Sequence, residues 1–431
     1  MKLLSDSFSR RAFVQGAAKS FLGVSALGGL SNQALAVAGK DASTAKQVAT
    51  ARNVIYLYMT GGMSHLDTFD PKEGQAEIMG DTKILSTNVD GIRISNNLPL
   101  LARQMDKLAL IRSMSSTQGA HVEGQYYQHT SYEKRSSIRH PSMGAWLQCF
   151  QQKGNPSLPA SVMIGNASSH PGAGFLESRF APLMINDPEN GINNVKKNNW
   201  FTQERFEDRL CIAKKLDARF AQTYNVKNVR AYADMYDDAV KMMNSEELKA
   251  FDLTQEPQAL REKYGKDNFG QGCLLARRLV EQGIRFVEVS LGSWDTHTTN
   301  FTRVPELCDE LDSAMSTLLQ DLSSRGMLED TLVVLATEFG RTPEINNNDG
   351  RDHHPKSFTC VLAGGGIRGG QVYGASDERG FNVAEKSVTI PALNATIAYA
   401  LGIPLDTVIY SPSKRPFTVA DKGKPLLELF A

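Results

Sequence analysis

An α/β fold in three layers, with helices on both faces of a mostly parallel central sheet, is the class this sequence predicts. Three observations carry that expectation. The first is a set of short apolar runs at 54–59, 108–112, 162–164, 286–291, 331–336 and 359–363. They read as parallel strands buried on both sides. The second is what lies between them. Residues 204–224, 229–251, 268–282 and 305–325 carry apolar side chains at three-to-four spacing, the period of a helix with one face on a core. Gly283 and Gly326 stand where the last two of these should end, because glycine readily takes the left-handed conformation that closes a helix. The third is the alternation itself: strand and helix follow one another over short connections, which packs helices against a parallel sheet. Residues 200–265 break the alternation and read as a mainly helical insertion.

Size and charge narrow the function. The chain has 431 residues, and α/β enzymes often keep such a length in one domain. Its hydrophobic content of 41% is enough for a sizeable core, and its formal net charge is zero. No global field draws in nucleic acid or an anionic membrane, so neither is expected as a partner. The five cysteines, Cys149, Cys211, Cys273, Cys308 and Cys360, form no C-x-x-C pair and no disulfide framework.

The first residues carry an address. Ser9-Arg10-Arg11-Ala12-Phe13-Val14 is a twin-arginine pattern, an uncharged stretch covers 21–30, and Ala34-Leu35-Ala36 and Ala36-Val37-Ala38 both suit a small-x-small cleavage site. Residues 1–38 are therefore expected to be a signal peptide read by the twin-arginine translocase through Arg10 and Arg11. Residues 39–431 are expected to form the mature periplasmic domain. No other apolar run approaches the ~20 residues of a membrane span. Export in the folded state lets a metal be chosen before export, which favours a metalloprotein.

In open parallel sheets chemistry gathers at the carboxyl ends of strands, and polar clusters occupy those places here. After 54–59 comes Thr60-Gly61-Gly62-Met63-Ser64-His65-Leu66-Asp67-Thr68-Phe69-Asp70-Pro71-Lys72, in which His65 and Asp67 offer a nitrogen and an oxygen to a cation. After 286–291 comes Gly292-Ser293-Trp294-Asp295-Thr296-His297, an Asp-x-His pair suited to a divalent ion. After 331–336 come Glu338-Phe339-Gly340-Arg341 and then Arg351-Asp352-His353-His354, with Arg341 and Arg351 as candidate forks for an anion. Asp-His-His in one tripeptide is unusual in a chain of eight histidines. A softer candidate follows 108–112: Ser115, Ser116 or Thr117 as a metal-activated nucleophile, or a helix cap, and His121 as a base or ligand. His129 and His140 read as ordinary helix or loop histidines.

These motifs, GG-x-SH-x-DTFDPK, WDTH, EFGRTP and GRDHH in this order, resemble those of a family of twin-arginine-exported bacterial proteins, domain of unknown function fifteen-oh-one. That family is sometimes labelled sulfatase-like and is placed in the alkaline-phosphatase superfamily. The resemblance implies an alkaline-phosphatase-like fold and a two-metal enzyme acting on phosphate or sulfate esters. Under it, Asp295 and His297 look like the superfamily's later Asp…His pair, and His353 or His354 like its final His. Glu338-Phe339 stands where Asp-His is expected, the first strand ends in Thr60-Gly61 rather than Asp, and no nucleophile motif is present.

Two functions follow. One is a metal-dependent hydrolase of anionic small-molecule or saccharide esters. A divalent ion, Zn, Mn or Ca, would be held by Asp295, His297 and His353 or His354, with Asp352, His65 and Asp67 as further ligands. Glu338 would be base or ligand, and Arg341 and Arg351 would neutralise growing charge. The other is an exported binding protein that keeps the fold without catalysis.

Overall fold

The computed structural model describes residues 49–151, 153–166, 168–192, 202–224 and 237–431. The expected signal peptide, Arg10 and Arg11 included, lies outside them.

Nine strands build the main sheet. In chain order they are β1 Asn53–Met59, β2 Leu108–Ser115, β3 Ser161–Ile164, β4 Leu183–Ile185, β5 Phe286–Leu291, β6 Thr331–Thr337, β7 Phe358–Ala363, β8 Gln371–Tyr373 and β9 Val388–Thr389. Across the sheet the order is β8-β2-β7-β6-β1-β5-β3-β4, with β9 also on β2. At the centre Leu57 pairs in parallel with Val289 on one side and Leu335 on the other. The run at 359–363, expected to be parallel, is antiparallel to both neighbours, β6 and β2. Every other strand of the sheet points the same way.

Strand alternation sorts the core into two layers. Ile55, Leu57 and Met59 enter one buried cluster with Leu274, Leu275, Leu311 and Leu318. Val54, Tyr56 and Tyr58 enter a second with Trp146, Leu393 and Ile397. The helices supplying these residues are α4 Asn268–Glu281 and α5 Asn300–Ser324 on the first face, and α2 Met143–Phe150 and α6 Ile390–Ala400 on the second. The expected three-layer α/β sandwich is the observed architecture. The anticipated helix at 305–325 begins earlier, at Asn300, with Pro305 inside it. Gly283 and Gly326, each with positive φ, follow the ends of α4 and α5. Within 200–265 the helix α3, Gln203–Thr223, carries Ile212, Leu216 and Phe220 in an exposed stripe. The helix expected at 229–251 falls partly outside the described residues; its far end is a 3-10 helix, Glu246–Phe251. Among the described residues no helix is long and apolar enough to cross a membrane.

β6, β1 and β5 are adjacent and parallel, so the loops leaving Thr337, Met59 and Leu291 meet at one rim. β2 ends at the same rim and leads to α1, His121–Thr130. Because β7 runs the other way, the segment just before Phe358 also returns there. It carries a short ribbon in which His353 pairs with Arg341 and His354 with Gly340.

Candidate metal centre

Four side chains converge at this rim: His121 opening α1, Asp295 and His297 after β5, and His353 from the ribbon. The Asp295 carboxylate is the hub. Its Oδ2 lies 3.2 Å from His121 Nε2, and its Oδ1 lies 3.2 Å from both His297 Nε2 and His353 Nε2. The Nε2 atoms of His297 and His353 are 3.0 Å apart. Ligand atoms of His121, Asp295 and His353 all fall within 4.8 Å of one another.

The protons decide what this cluster is. Each imidazole turns its Nδ1 toward an oxygen that can only accept: Glu338 Oε1 at 2.9 Å for His121, Asp352 Oδ1 at 2.6 Å for His297 and the Gly119 carbonyl at 2.9 Å for His353. A neutral imidazole with its hydrogen on Nδ1 presents a lone pair at Nε2. Three lone pairs and a carboxylate therefore face each other, and His121 Nε2 is buried without a hydrogen-bond donor. Such a set repels itself unless a metal ion, or a proton taken up by His121, lies among it. It is also the arrangement in which outer carboxylates and carbonyls orient histidine ligands toward a metal. Three nitrogens and a carboxylate oxygen fit zinc or manganese; they do not fit calcium, which takes oxygen ligands.

Burial alone would raise the Asp295 carboxyl, but Arg341, and then His121 and His353, outweigh it and bring its pKa down to about 2. The hydrogen bond to Glu338 raises His121 above the usual imidazole value despite partial burial. Burial lowers His353. The hydrogen bond with His297 lowers Asp352.

The other expected site residues stand elsewhere or act through these four. Glu338, fully buried, accepts from Gly61 N–H at 2.8 Å and Tyr58 Oη at 3.1 Å as well as from His121. It is a brace for an imidazole, with no route to solvent for a general base. Asp352 braces His297 rather than joining the hub. Arg341 is also fully buried: it donates to the carbonyls of Gly61, Gly62 and Arg351 and to Asp295 Oδ1, so it positions Asp295 and leaves no fork for a substrate anion.

Arg351 is not an anion fork and Asp67 is not a metal ligand, because they bind each other. They form a fully buried pair, with Arg351 Nε 2.7 Å from Asp67 Oδ2 and Nη2 3.1 Å from Oδ1. Arg351 also donates to the carbonyls of Ile78, Thr342 and Pro343. Asp67 also accepts from Thr82 Oγ1 at 2.7 Å and Asn300 Nδ2 at 3.0 Å. Neither is open to a metal or a substrate. His65 is not a ligand here: its Nε2 donates to the Gly380 carbonyl at 2.8 Å, and burial lowers its pKa to about 4. His354, the second of the tandem, turns to the other side of its ribbon and donates to the Phe381 carbonyl at 2.5 Å. The hydroxyls of Ser116 and Thr117 accept from Gln118 within a turn, and neither has an imidazole or carboxylate partner among the described residues. Ala120, not a serine or threonine, caps α1.

Phe339 explains the departure at Glu338-Phe339. Its buried ring lies 5.1 Å from the His121 ring and 4.7 Å from that of His353. An apolar wall stands where the resemblance expected a second imidazole. A second histidine–carboxylate group, His129, His170 and Glu288, lies inside the sheet's other layer. Here His129 is the charged imidazolium, with a hydrogen on both nitrogens, because Glu288 raises its pKa against burial. His129 Nδ1 donates to the Gln125 carbonyl at 2.7 Å and its Nε2 sits 2.9 Å from Glu288 Oε1. His170 Nδ1 accepts from Gly172 N–H at 3.0 Å, which places its hydrogen on Nε2, toward Glu288. Glu288 is thus neutralised by imidazole N–H groups. Burial opposes charge on both partners, yet Glu288 raises the pKa of His129, and His129 and His170 hold Glu288 far below the usual range. One sequence signal was available for it: a glutamate inside the apolar run of β5 must find a cationic or N–H partner.

Comparison with known proteins adds a family. No curated protein matches the chain. Among solved structures, the lipoteichoic acid synthase LtaP from Listeria monocytogenes is 10% identical with a TM-score of 0.40, covering 83% of this chain and 74% of that one. A protein of the alkaline phosphatase superfamily from Vibrio parahaemolyticus is 9% identical with a TM-score of 0.39, covering 87% and 70%. The alkaline phosphatase of the Antarctic bacterium TAB5 is 13% identical with a TM-score of 0.34, covering 76% and 95%. At that distance none of them bears on a site residue. The family model described as protein of unknown function (DUF1501) matches residues 51–430, and the chain belongs to that family.

Proposed function

We propose that this protein is a single-metal hydrolase of sulfate or phosphate esters, working in the periplasm after twin-arginine export. One observation carries the reading: three imidazoles, each fixed at Nδ1 by an outer acceptor, aim Nε2 at Asp295. The cluster is also open. The side chains of Asp295 and His297 are 45% and 42% exposed, unlike a closed structural site. His121, Asp295, His297 and His353 would hold a divalent ion, zinc or manganese, which would supply Lewis acidity toward an ester oxygen and toward water. The chain's own part is positional. Glu338, Asp352 and the Gly119 carbonyl keep the hydrogens on Nδ1, Arg341 holds Asp295 and its negative charge, and Phe339 excludes water from the inner side of His121 and His353. The absence of any hydroxyl partnered with an imidazole or carboxylate near Ser116 and Thr117, among the described residues, favours water over a side chain as nucleophile.

A second reading, a metal-holding protein without turnover, is favoured by the engagement of Arg341 and Arg351 in internal bonds, which leaves neither to clamp an anion. One experiment separates them. Metal content is measured on protein from its native compartment, and turnover of aryl sulfates and aryl phosphates is compared for wild type, Asp295→Asn and His353→Ala. Bound metal with turnover that both substitutions abolish supports the hydrolase. Bound metal with no turnover supports the second reading, and metal-free protein overturns both.

A further inference from the structure

A second place on the molecule has the makings of a ligand site. It is a cleft of about 690 Å³ between the C-terminal end of α1 and the chain's last irregular segment. None of its lining residues belongs to the metal centre. Its floor is aromatic. Tyr132 stacks on buried His140 at 4.4 Å and 13°, and Phe417 meets both rings edge-on at 5.4 and 4.9 Å. Burial, then the nearby Arg135, lowers His140 to about 4, so this ring is neutral.

The rim has the opposite character. Arg135, Lys422, Glu133 and Asp421 are exposed there, and none forms a salt bridge or side-chain hydrogen bond among the described residues. Arg415 reaches only Ser137 Oγ, at 3.4 Å. This is unlike the metal rim, where every arginine is engaged inside the fold. The backbone is also strained into place: Ala420, Asp421 and Lys422 in succession have φ of 57°, 43° and 62°. Non-glycine residues in that region cost about 1–3 kcal/mol each and persist only where their surroundings hold them. Here Tyr132 Oη clamps the segment, donating to the Thr418 carbonyl at 2.7 Å and accepting from Thr418 N–H at 3.2 Å.

We infer that this cleft binds an anionic oligosaccharide. Aromatic side chains supply flat apolar faces for sugar rings. The exposed carboxylates of Glu133 and Asp421 accept from hydroxyls, and the exposed cations of Arg135, Arg415 and Lys422, the first and last of which also act on Asp421 through space, take the anionic substituents. An acidic peptide would use the cations but bring no row of hydroxyls to the two carboxylates.

The test uses the full chain and calorimetric titration with a sulfated chondroitin hexasaccharide, the neutral hexasaccharide chitohexaose and polyglutamate. Saturable binding of the sulfated sugar is expected, weakened at least about tenfold by Arg135→Ala with Arg415→Ala. Both positions are exposed, and circular dichroism checks that the fold is kept. Binding should persist in Asp295→Asn and after chelation, which makes the outcome independent of the metal centre. Four results overturn the inference: no saturable binding, equal binding of the neutral sugar or of polyglutamate, an unchanged affinity in the double variant, or loss of binding in Asp295→Asn.

Discussion

The three imidazoles at the rim are held by acceptors of different strength, and that ranks their behaviour. His297 depends on Asp352, a carboxylate exposed to water. Replacing it with alanine should change stability by no more than about 0.5 kcal/mol, as at other exposed sites. It should nevertheless weaken metal binding about 10–100-fold, because the ring loses its orientation. Competition titration with a chelator measures this; unchanged affinity would remove His297 from the coordination set. His121 depends on buried Glu338, which raises its pKa above the ordinary imidazole value. A ligand ring must be neutral. In metal-free protein His121 therefore takes up a proton at higher pH than His353, which burial lowers. Metal affinity should begin to fall as pH drops through the raised value of His121. In Glu338→Gln, which removes the charge but keeps an acceptor, the onset should move to lower pH. An identical onset in both proteins would separate Glu338 from His121. At this scale the sequence exposed the donors and hid their partners. Asp295, His297 and His353 stand out because histidines are few. Nothing in the order of residues says that Arg351 meets Asp67, 284 positions away, before any substrate can reach it.

Each donor reaches the rim because of how its element ends. β1 stops at Met59, and Gly61 follows with φ of 120° and its backbone pressed against the Asp295 loop. A methyl group there would lie 2.5 Å from Asp295 N and 2.8 Å from Trp294 C, contacts no side chain can give way to. Gly61→Ala should therefore push the Asp295 loop outward. Expected are a lower unfolding midpoint and a loss of metal stoichiometry, read by thermal melting and elemental analysis; full metal content would show that the loop tolerates the shift. The long strands were legible because burial on both faces leaves an uninterrupted apolar run. Short edge strands such as Gln371–Tyr373 and Val388–Thr389 were not, since two or three residues show no period. The direction of β7 was illegible for another reason. A buried antiparallel strand has the same apolar content as a parallel one, and only its partners define it. That reversal returns His353 to the rim. The span of α1 was not legible beyond a helix cap near Ser115–Thr117, because its exposed face includes Val122 and its buried face carries Gln128, His129 and Thr130, so its pattern is not amphipathic.

Across the whole molecule, the pair of Asp67 and Arg351 does what no single element does. It joins the loop after β1, the start of α5 at Asn300, the short segment at Ile78 and the loop that leads into β7. The Asp67 carboxyl would be raised by burial, but Arg351 outweighs that and holds it below its ordinary value. A carboxyl lowered in this way contributes stability that is present above its unfolded pKa of about 3.9 and is lost as pH falls through the folded value. Arg351→Met keeps bulk and removes the cation, leaving a buried charge without a partner. The expected cost is about 3–5 kcal/mol at pH 7. In that variant burial raises the same carboxyl, so the penalty belongs to its ionised form. The gap between variant and wild type should then be widest at neutral pH and narrow below about pH 4, where Asp67 is protonated in both unfolded chains. A compensating Asp67→Leu should restore much of the loss, because a matched apolar pair carries no desolvation cost. Urea unfolding of the three proteins at pH 7 and at about pH 3.5 measures both effects. A gap that stays constant with pH would mean that Arg351 stabilises the rim through its carbonyl contacts to Ile78, Thr342 and Pro343 and not through Asp67.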